Sequence, residues 1–217
     1  MFAVAAVLSA TAITASQVGV GGGRHTTASP AQASLFAGIP QRGAALGSPH
    51  APVTLIEYAD LQCPYCAEWS QEALPPIVAD YVRSGRVRIV FNGLAFLGPD
   101  SELALRMVVA AGAQNKQWNL LHELYRRQGY ENSGWVGDEL PGAAAAAGLD
   151  PKVLDAAAWG GATSRTIERT ARVAHAAGVQ GTPSFEVGRT GGPMRLVRVT
   201  SLTAAGIRPA LDAALAQ

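Results

Sequence analysis

Cys63-Pro64-Tyr65-Cys66 contains both cysteines of the 217-residue chain. Two thiols at this spacing can close and reopen a disulfide across one helical turn. They could also supply part of a zinc site or staple a turn. A zinc site usually wants four ligands, and no second Cys or His pair stands at ligand spacing. A one-turn staple constrains the unfolded chain little. Redox chemistry is therefore the reading that uses both sulfurs best, with no metal and no organic cofactor required.

The elements around the pair must make one sulfur reactive. Val53–Ala59 is an apolar run with β-branched and aromatic members, which predicts a buried strand. Asp60-Leu61-Gln62 punctuates it, and a helical pattern follows from Pro64. Cys63 then falls at the helix start, where unpaired N–H groups and the helix dipole favour a thiolate. Pro64 suits the first turn because it has no N–H to orphan. Cys63 is predicted to be the exposed, attacking sulfur and Cys66 the shielded, resolving one. In the strand, Val53, Leu55, Glu57 and Ala59 share one face, so Glu57 sits among apolar neighbours. A carboxyl so placed should have a raised pKa and relay protons to or from Cys66.

This stretch resembles the thioredoxin superfamily, and more closely the DsbA-like thiol-disulfide oxidoreductases of bacterial cell envelopes. Members carry a CxxC at the start of the first helix and an acidic residue six positions before its first Cys, the spacing of Glu57 and Cys63. Gly181-Thr182-Pro183-Ser184-Phe185 matches a second element, whose proline the resemblance implies is cis and lies against the CxxC. Thr182 would then offer backbone groups to an extended substrate chain, a form of strand addition. The Pro64-Tyr65 pair would tune the potential together with Thr182 and Glu57. The resemblance covers roughly residues 35–217 and implies an α/β thioredoxin fold, a mixed sheet flanked by helices with an inserted all-helical domain. It further implies reduced exported proteins or peptides as substrates and a quinone-linked membrane protein as reoxidising partner. Disulfide oxidase is the first expectation; an extracytoplasmic reductase or isomerase is the alternative. Isomerases usually add an N-terminal dimerisation domain, for which 34 residues of tail are too few, so a monomer is expected.

Residues 1–23 hold no charged side chain, and Ala, Val, Leu and Ile dominate the first fifteen. That predicts an export signal or membrane anchor. The basic stretch that normally precedes such a core is missing, so the true start lies upstream or the chain is shortened. Gly21-Gly22-Gly23 opens a linker, and Ala31-Gln32-Ala33 offers a cleavage site. The expected division is 1–34 for signal or anchor plus linker, 35–98 with 178–217 for the thioredoxin-like unit, and 99–177 for the helical insertion. The location expected is extracytoplasmic, in the cell envelope or periplasm, where a dithiol can be held oxidised. A net charge of +1 gives no footprint for a nucleic acid.

Residues 35–50 should supply an edge strand and a turn. A helix over 64–84 carries Pro75-Pro76, which should kink it. Val87–Phe91 reads as the next, parallel strand. Helices are expected over 100–114, 115–128, 138–148, 150–158 and 162–177. Phe185–Val187 and Arg195–Val199 read as an antiparallel pair, and a closing helix as 203–216. His122, His175 and the stripe Arg165, Arg169 and Arg172 fall in helices, where packing or solvation is the default.

Overall fold

The computed structural model describes residues 35–217. The export segment, linker and cleavage site expected in residues 1–34 lie outside the described residues. Strand β1 (Gln41–Arg42) and strand β2 (Ala45–Leu46) form a short hairpin, followed by β3 (Val53–Asp60) and β4 (Val87–Leu94). Strands β5 (Ser184–Arg189) and β6 (Arg195–Val197) complete a six-stranded mixed sheet of order β1-β2-β4-β3-β5-β6.

β3 is central because it is apolar on both faces, which only a strand covered on both sides tolerates. It pairs parallel with β4 and antiparallel with β5. Leu55 stands between Ile89 and Val187, and Glu57 between Phe91 and Phe185. β4 runs three residues beyond the expected Phe91, through Asn92-Gly93, because Ala59 and Asp60 continue the ladder opposite Gly93 and Leu94. At Gly93 an added Cβ would overlap the Leu105 side chain and the Phe91 ring. The glycine therefore makes room for both.

After the cysteines the chain stays helical from Pro64 to Val82, but not uniformly. Helix α1 (Pro64–Glu68) opens into a π turn, Trp69–Ala73; helix α2 (Leu74–Ile77) opens into a second, Val78–Val82. The expected proline kink takes this form for a physical reason. Pro75 and Pro76 cannot donate to the preceding turn, and the ladder widens so that Leu74 N–H reaches Trp69 O instead.

Between β4 and β5 the described elements are all helical. They are α3 (Pro99–Ala111), α4 (Gln117–Arg126), α5 (Trp135–Ala146), α6 (Pro151–Ala158) and α7 (Gly161–Ala176). α8 (Ala204–Leu215) closes the chain. The main core joins Leu55, Ile77, Ile89, Leu105, Trp118, Leu121, Phe185 and Leu211. On the opposite face of β3, Tyr58 and Ile56 pack with Ala174 of α7 and with Leu94.

α4 turns Trp118, Leu121, Leu124 and Tyr125 inward, and His122 goes with them. The His122 ring meets Phe36 edge-on at 5.8 Å, and its Nδ1 lies 3.2 Å from Ser70 Oγ. Burial pushes its pKa down to about 4, outweighing the nearby Glu123 carboxylate. The folded state thus keeps His122 neutral where the unfolded chain would charge it. Its contribution to stability is complete above the ordinary histidine value of 6.5 and is lost as pH falls from there towards 4. His122→Gln should flatten this acid-side loss, which amounts to roughly 3 kcal/mol at most. Urea unfolding of both proteins between pH 7 and 4 checks it; parallel curves would show that His122 is protonated without cost.

Candidate active site

The site is built where β3 ends. Asp60, wholly buried, is met by four donors. Its Oδ1 accepts from Gln62 N–H at 2.9 Å and Ser101 Oγ at 2.5 Å. Its Oδ2 accepts from the N–H groups of Phe96 and Leu97, at 2.9 and 3.3 Å. This one carboxylate ties the turn before the cysteines to the loop that enters α3. Tyr125 of α4 donates its hydroxyl to Asp60 O at 3.3 Å.

Cys63 caps α1 in an extended conformation, φ −72° and ψ 118°, with Pro64 opening the helix. Its carbonyl accepts from the N–H groups of Cys66 and Ala67, at 3.1 and 3.2 Å. Both sulfurs are free thiols. The Cys63 pKa is drawn down to about 6, first by a hydrogen bond from the Cys66 thiol and further by Thr182 and the backbone N–H groups of Cys66 and Tyr65, against the opposing effect of burial. Cys66 moves the other way, well above an ordinary thiol. Burial is the chief cause, and negative charge on Cys63 and Glu57 adds to it.

The expectation of an exposed Cys63 needs correcting. Cys63 is only 5% exposed and Cys66 not at all. The cover comes from the Thr182–Pro183 loop, whose peptide bond is cis. Cys63 Sγ donates to the Thr182 carbonyl at 3.4 Å, so that oxygen is engaged while the thiol keeps its proton. Between the cysteines, Tyr65 points outward, 61% exposed.

Glu57 lies beneath the pair at 1% exposure, flanked by the register partners Phe91 and Phe185. Its pKa is raised to about 8 by burial, with the Trp69 indole opposing. The structure therefore brings Cys63, Cys66, Pro64, Tyr65, Glu57, Thr182 and Pro183 to one place. His175 and Arg165, Arg169 and Arg172 instead lie exposed on α7. Among the described residues no three His, Cys, Asp or Glu side chains gather as a metal site. Among them also, no helix is long and apolar enough to cross a membrane.

Sequence reasoning missed the amides that grip this turn. Gln128, just after α4, donates Nε2 to Leu61 O at 2.7 Å and to Cys63 O at 3.2 Å. Gln62 Nε2 reaches Leu97 O, Ser101 Oγ and Asn132 Oδ1, and Asn132 N–H returns to Gln62 Oε1 at 2.6 Å. No local pattern could have shown Gln128, because its partners lie 65 and 67 residues away. Trp69 was also passed over, as one more apolar residue on a helix.

Comparison with known proteins agrees with this geometry. The family model described as Thioredoxin matches residues 41–191. Over 97 residues the chain is 32% identical to the "Probable disulfide bond formation protein D" of Bacillus cereus, covering 44% of this chain and 45% of that protein. It is 29% identical over 99 residues to disulfide bond formation protein D of Bacillus subtilis, again covering 45% of each. The chain thus spans about half the length of the curated relatives it matches. A thioredoxin-like oxidoreductase structure from Silicibacter pomeroyi DSS-3 is 27% identical, with a TM-score of 0.64 over 85% of this chain and 97% of that one. Oxidised BdbD from Bacillus subtilis shares the fold, with a TM-score of 0.66 at 20% identity over 82% of this chain and 98% of that one. Matched by the family model over more than half its length, and with the sheet and paired cysteines in place, the chain belongs to the thioredoxin family.

Proposed function

We propose that this chain is an exported thiol-disulfide oxidoreductase that introduces disulfides into other exported proteins. The observation that carries the reading is the opposite displacement of two thiols one helical turn apart, Cys63 down and Cys66 up, under the Thr182–Pro183 loop. Such a pair holds one ready thiolate and one protected thiol, which is what a couple that must open and close needs.

The reaction starts from the Cys63–Cys66 disulfide. A substrate thiolate attacks Cys63 Sγ; a bond forms to it, the Cys63–Cys66 bond breaks, and Cys66 leaves with the electron pair. Cys66 takes a proton, which Glu57 supplies because burial keeps its carboxyl protonated near neutral pH. A second substrate thiolate then attacks the substrate sulfur of the mixed disulfide, and Cys63 departs as its stabilised thiolate. Two electrons have passed from two substrate thiols to the enzyme pair. A quinone-linked membrane protein returns the dithiol to the disulfide, and Glu57, as carboxylate, takes the proton that Cys66 must lose. The chemistry requires no metal and no organic cofactor, and the protein works as a monomer in the cell envelope, released or tethered by its N-terminal apolar segment. Thr182 and Pro183 border the place where an extended substrate lies, and Pro64 and Tyr65 set the potential between them.

Direction is read from the potential. Equilibration against glutathione buffers should give a value of about −120 to −180 mV; one of about −270 mV would mark a reductase instead. Failure to equilibrate would remove the redox reading altogether.

Alkylation should follow a single thiolate with a midpoint near pH 6 that Cys63→Ser abolishes. In Cys66→Ser, the lone Cys63 thiolate should attack a disulfide-containing substrate, displace one substrate thiolate and stay trapped as a mixed disulfide, seen by mass spectrometry. Adducts on Cys66 in Cys63→Ser, with none on Cys63 in Cys66→Ser, would reverse the assigned roles.

Glu57→Gln should slow dithiol oxidation by tenfold or more, in line with the ~10²–10⁴-fold usual for a proton-transfer group. It should also raise stability on the alkaline side. The folded-state value of about 8 lies above the ordinary carboxyl value of 4.5, so the wild type loses stability as pH rises between them. Above pH 8 that difference approaches roughly 5 kcal/mol. Unchanged rates with unchanged stability would leave Glu57 without this role.

A further inference from the structure

The proton carried by Glu57 must leave and return inside a buried enclosure flanked by aromatic rings. Phe91 and Phe185 stand directly beside Glu57 on the neighbouring strands. Trp69 lies on Phe185, ring centroids 4.4 Å apart and planes at 50°. Trp69 is wholly buried, and it sits at the first position of the π turn forced by Pro75 and Pro76. A π turn shifts the side-chain phase along a helix, and the Trp69 indole acts on the Glu57 carboxyl, opposing the effect of burial. Among the described residues, Glu57 Oε1 and Trp69 Nε1 are both buried and both without a hydrogen-bond partner. One is a donor that can never accept; the other belongs to a group whose need for donors appears when it ionises.

The other titratable groups facing Glu57 cannot meet that need. From α1 they are the thiols of Cys66 and Cys63, and from α4 the phenol of Tyr125. The Cys66 thiol is already committed to the Cys63 sulfur and the Tyr125 hydroxyl to Asp60 O, while Cys63 as a thiolate has no proton to donate. Asp60, at the end of the same strand, is itself acidic and is met by its own donors.

We infer that the Trp69 indole N–H is a positioning group for Glu57: it donates a hydrogen bond to the ionised carboxylate and so holds the charge left behind whenever Cys66 takes the proton. The inference rests on reading Cys63 and Cys66 as a catalytic couple served by Glu57. In the structure both polar atoms are buried without a formed bond, and the indole acts on the carboxyl; ionisation of Glu57 converts them into a charge-assisted pair, the stronger kind of hydrogen bond. The donor thereby favours the charged form of Glu57 over the neutral one, which eases release of its proton.

The experiment follows both partners by NMR in the reduced protein, between pH 6 and 10. The ¹³C signal of the Glu57 carboxyl, assigned by its loss in Glu57→Gln, should titrate near pH 8. The indole N–H signal of Trp69 should move with the same midpoint, apart from any step near pH 6 that belongs to Cys63, and should not move near pH 8 in Glu57→Gln. Trp69→Phe keeps an aromatic ring on Phe185 and deletes the donor. It should raise the Glu57 midpoint by about one pH unit, the size expected for loss of a hydrogen bond to a charge. A melting temperature lowered without a shift in that midpoint would reduce Trp69 to packing and overturn the inference. So would an indole signal indifferent to pH around 8, which wild-type protein alone reveals if Trp69→Phe does not fold. Failure of the Cys63–Cys66 couple to equilibrate with glutathione would instead sink the oxidoreductase reading, and the two NMR titrations would still decide the Trp69–Glu57 pair.

Discussion

The structure depends on a difference in solvation across one helical turn. Cys63 lies at a helix start, where N–H groups have no helical acceptor and a negative sulfur supplies one. Cys66 lies one turn deeper, where exclusion from water and two potential negative neighbours outweigh a backbone hydrogen bond at Asp60. The same backbone that favours charge on the first sulfur shields the second. Negative charge on either sulfur discourages charge on the other, so the pair divides into a thiolate and a thiol.

Holding that turn in place is a task spread over the whole chain. Asp60 gathers donors from the loop after β4 and from α3. Tyr125 and Gln128 reach it from α4 and the segment that follows. The helices between β4 and β5 are thus connected to the chemistry through backbone carbonyls at residues 60, 61 and 63, without placing a reactive side chain of their own there. Buried polar groups so fully met are costly to disturb, because removing one partner strands the others.

Glu57 is the exception to that full satisfaction. Its flanks are aromatic because β3, β4 and β5 place Phe91 and Phe185 directly beside it. A carboxyl in such an enclosure is held near the point where it can both give and take a proton. The cost is a native state that becomes less stable as pH rises from the ordinary carboxyl value of 4.5 to about 8.

Much of this was legible in the sequence because it rests on local pattern. Alternation in β3 located Glu57 on the core face, the loop-to-helix transition located Cys63, and Gly and Pro marked the ends of the helices between β4 and β5. Where local pattern misled, a neighbour decided. β4 outran its apolar run because β3 continued beside it, and the Pro75-Pro76 disruption became π turns because the surrounding core keeps Leu74, Ile77 and Val78 buried. The cover over Cys63, the grip of Gln128 and the action of the Trp69 indole on Glu57 were not legible at all. Each joins residues far apart in the chain, and hydrogen bonding and burial depend on distance in space. The sequence by itself determined which groups are able to do redox chemistry, since residue type and short-range spacing set what a side chain can do. Tertiary structure alone decided which sulfur is covered, by what, and how tightly each proton is held, because solvation and charge act only between groups that folding has brought together.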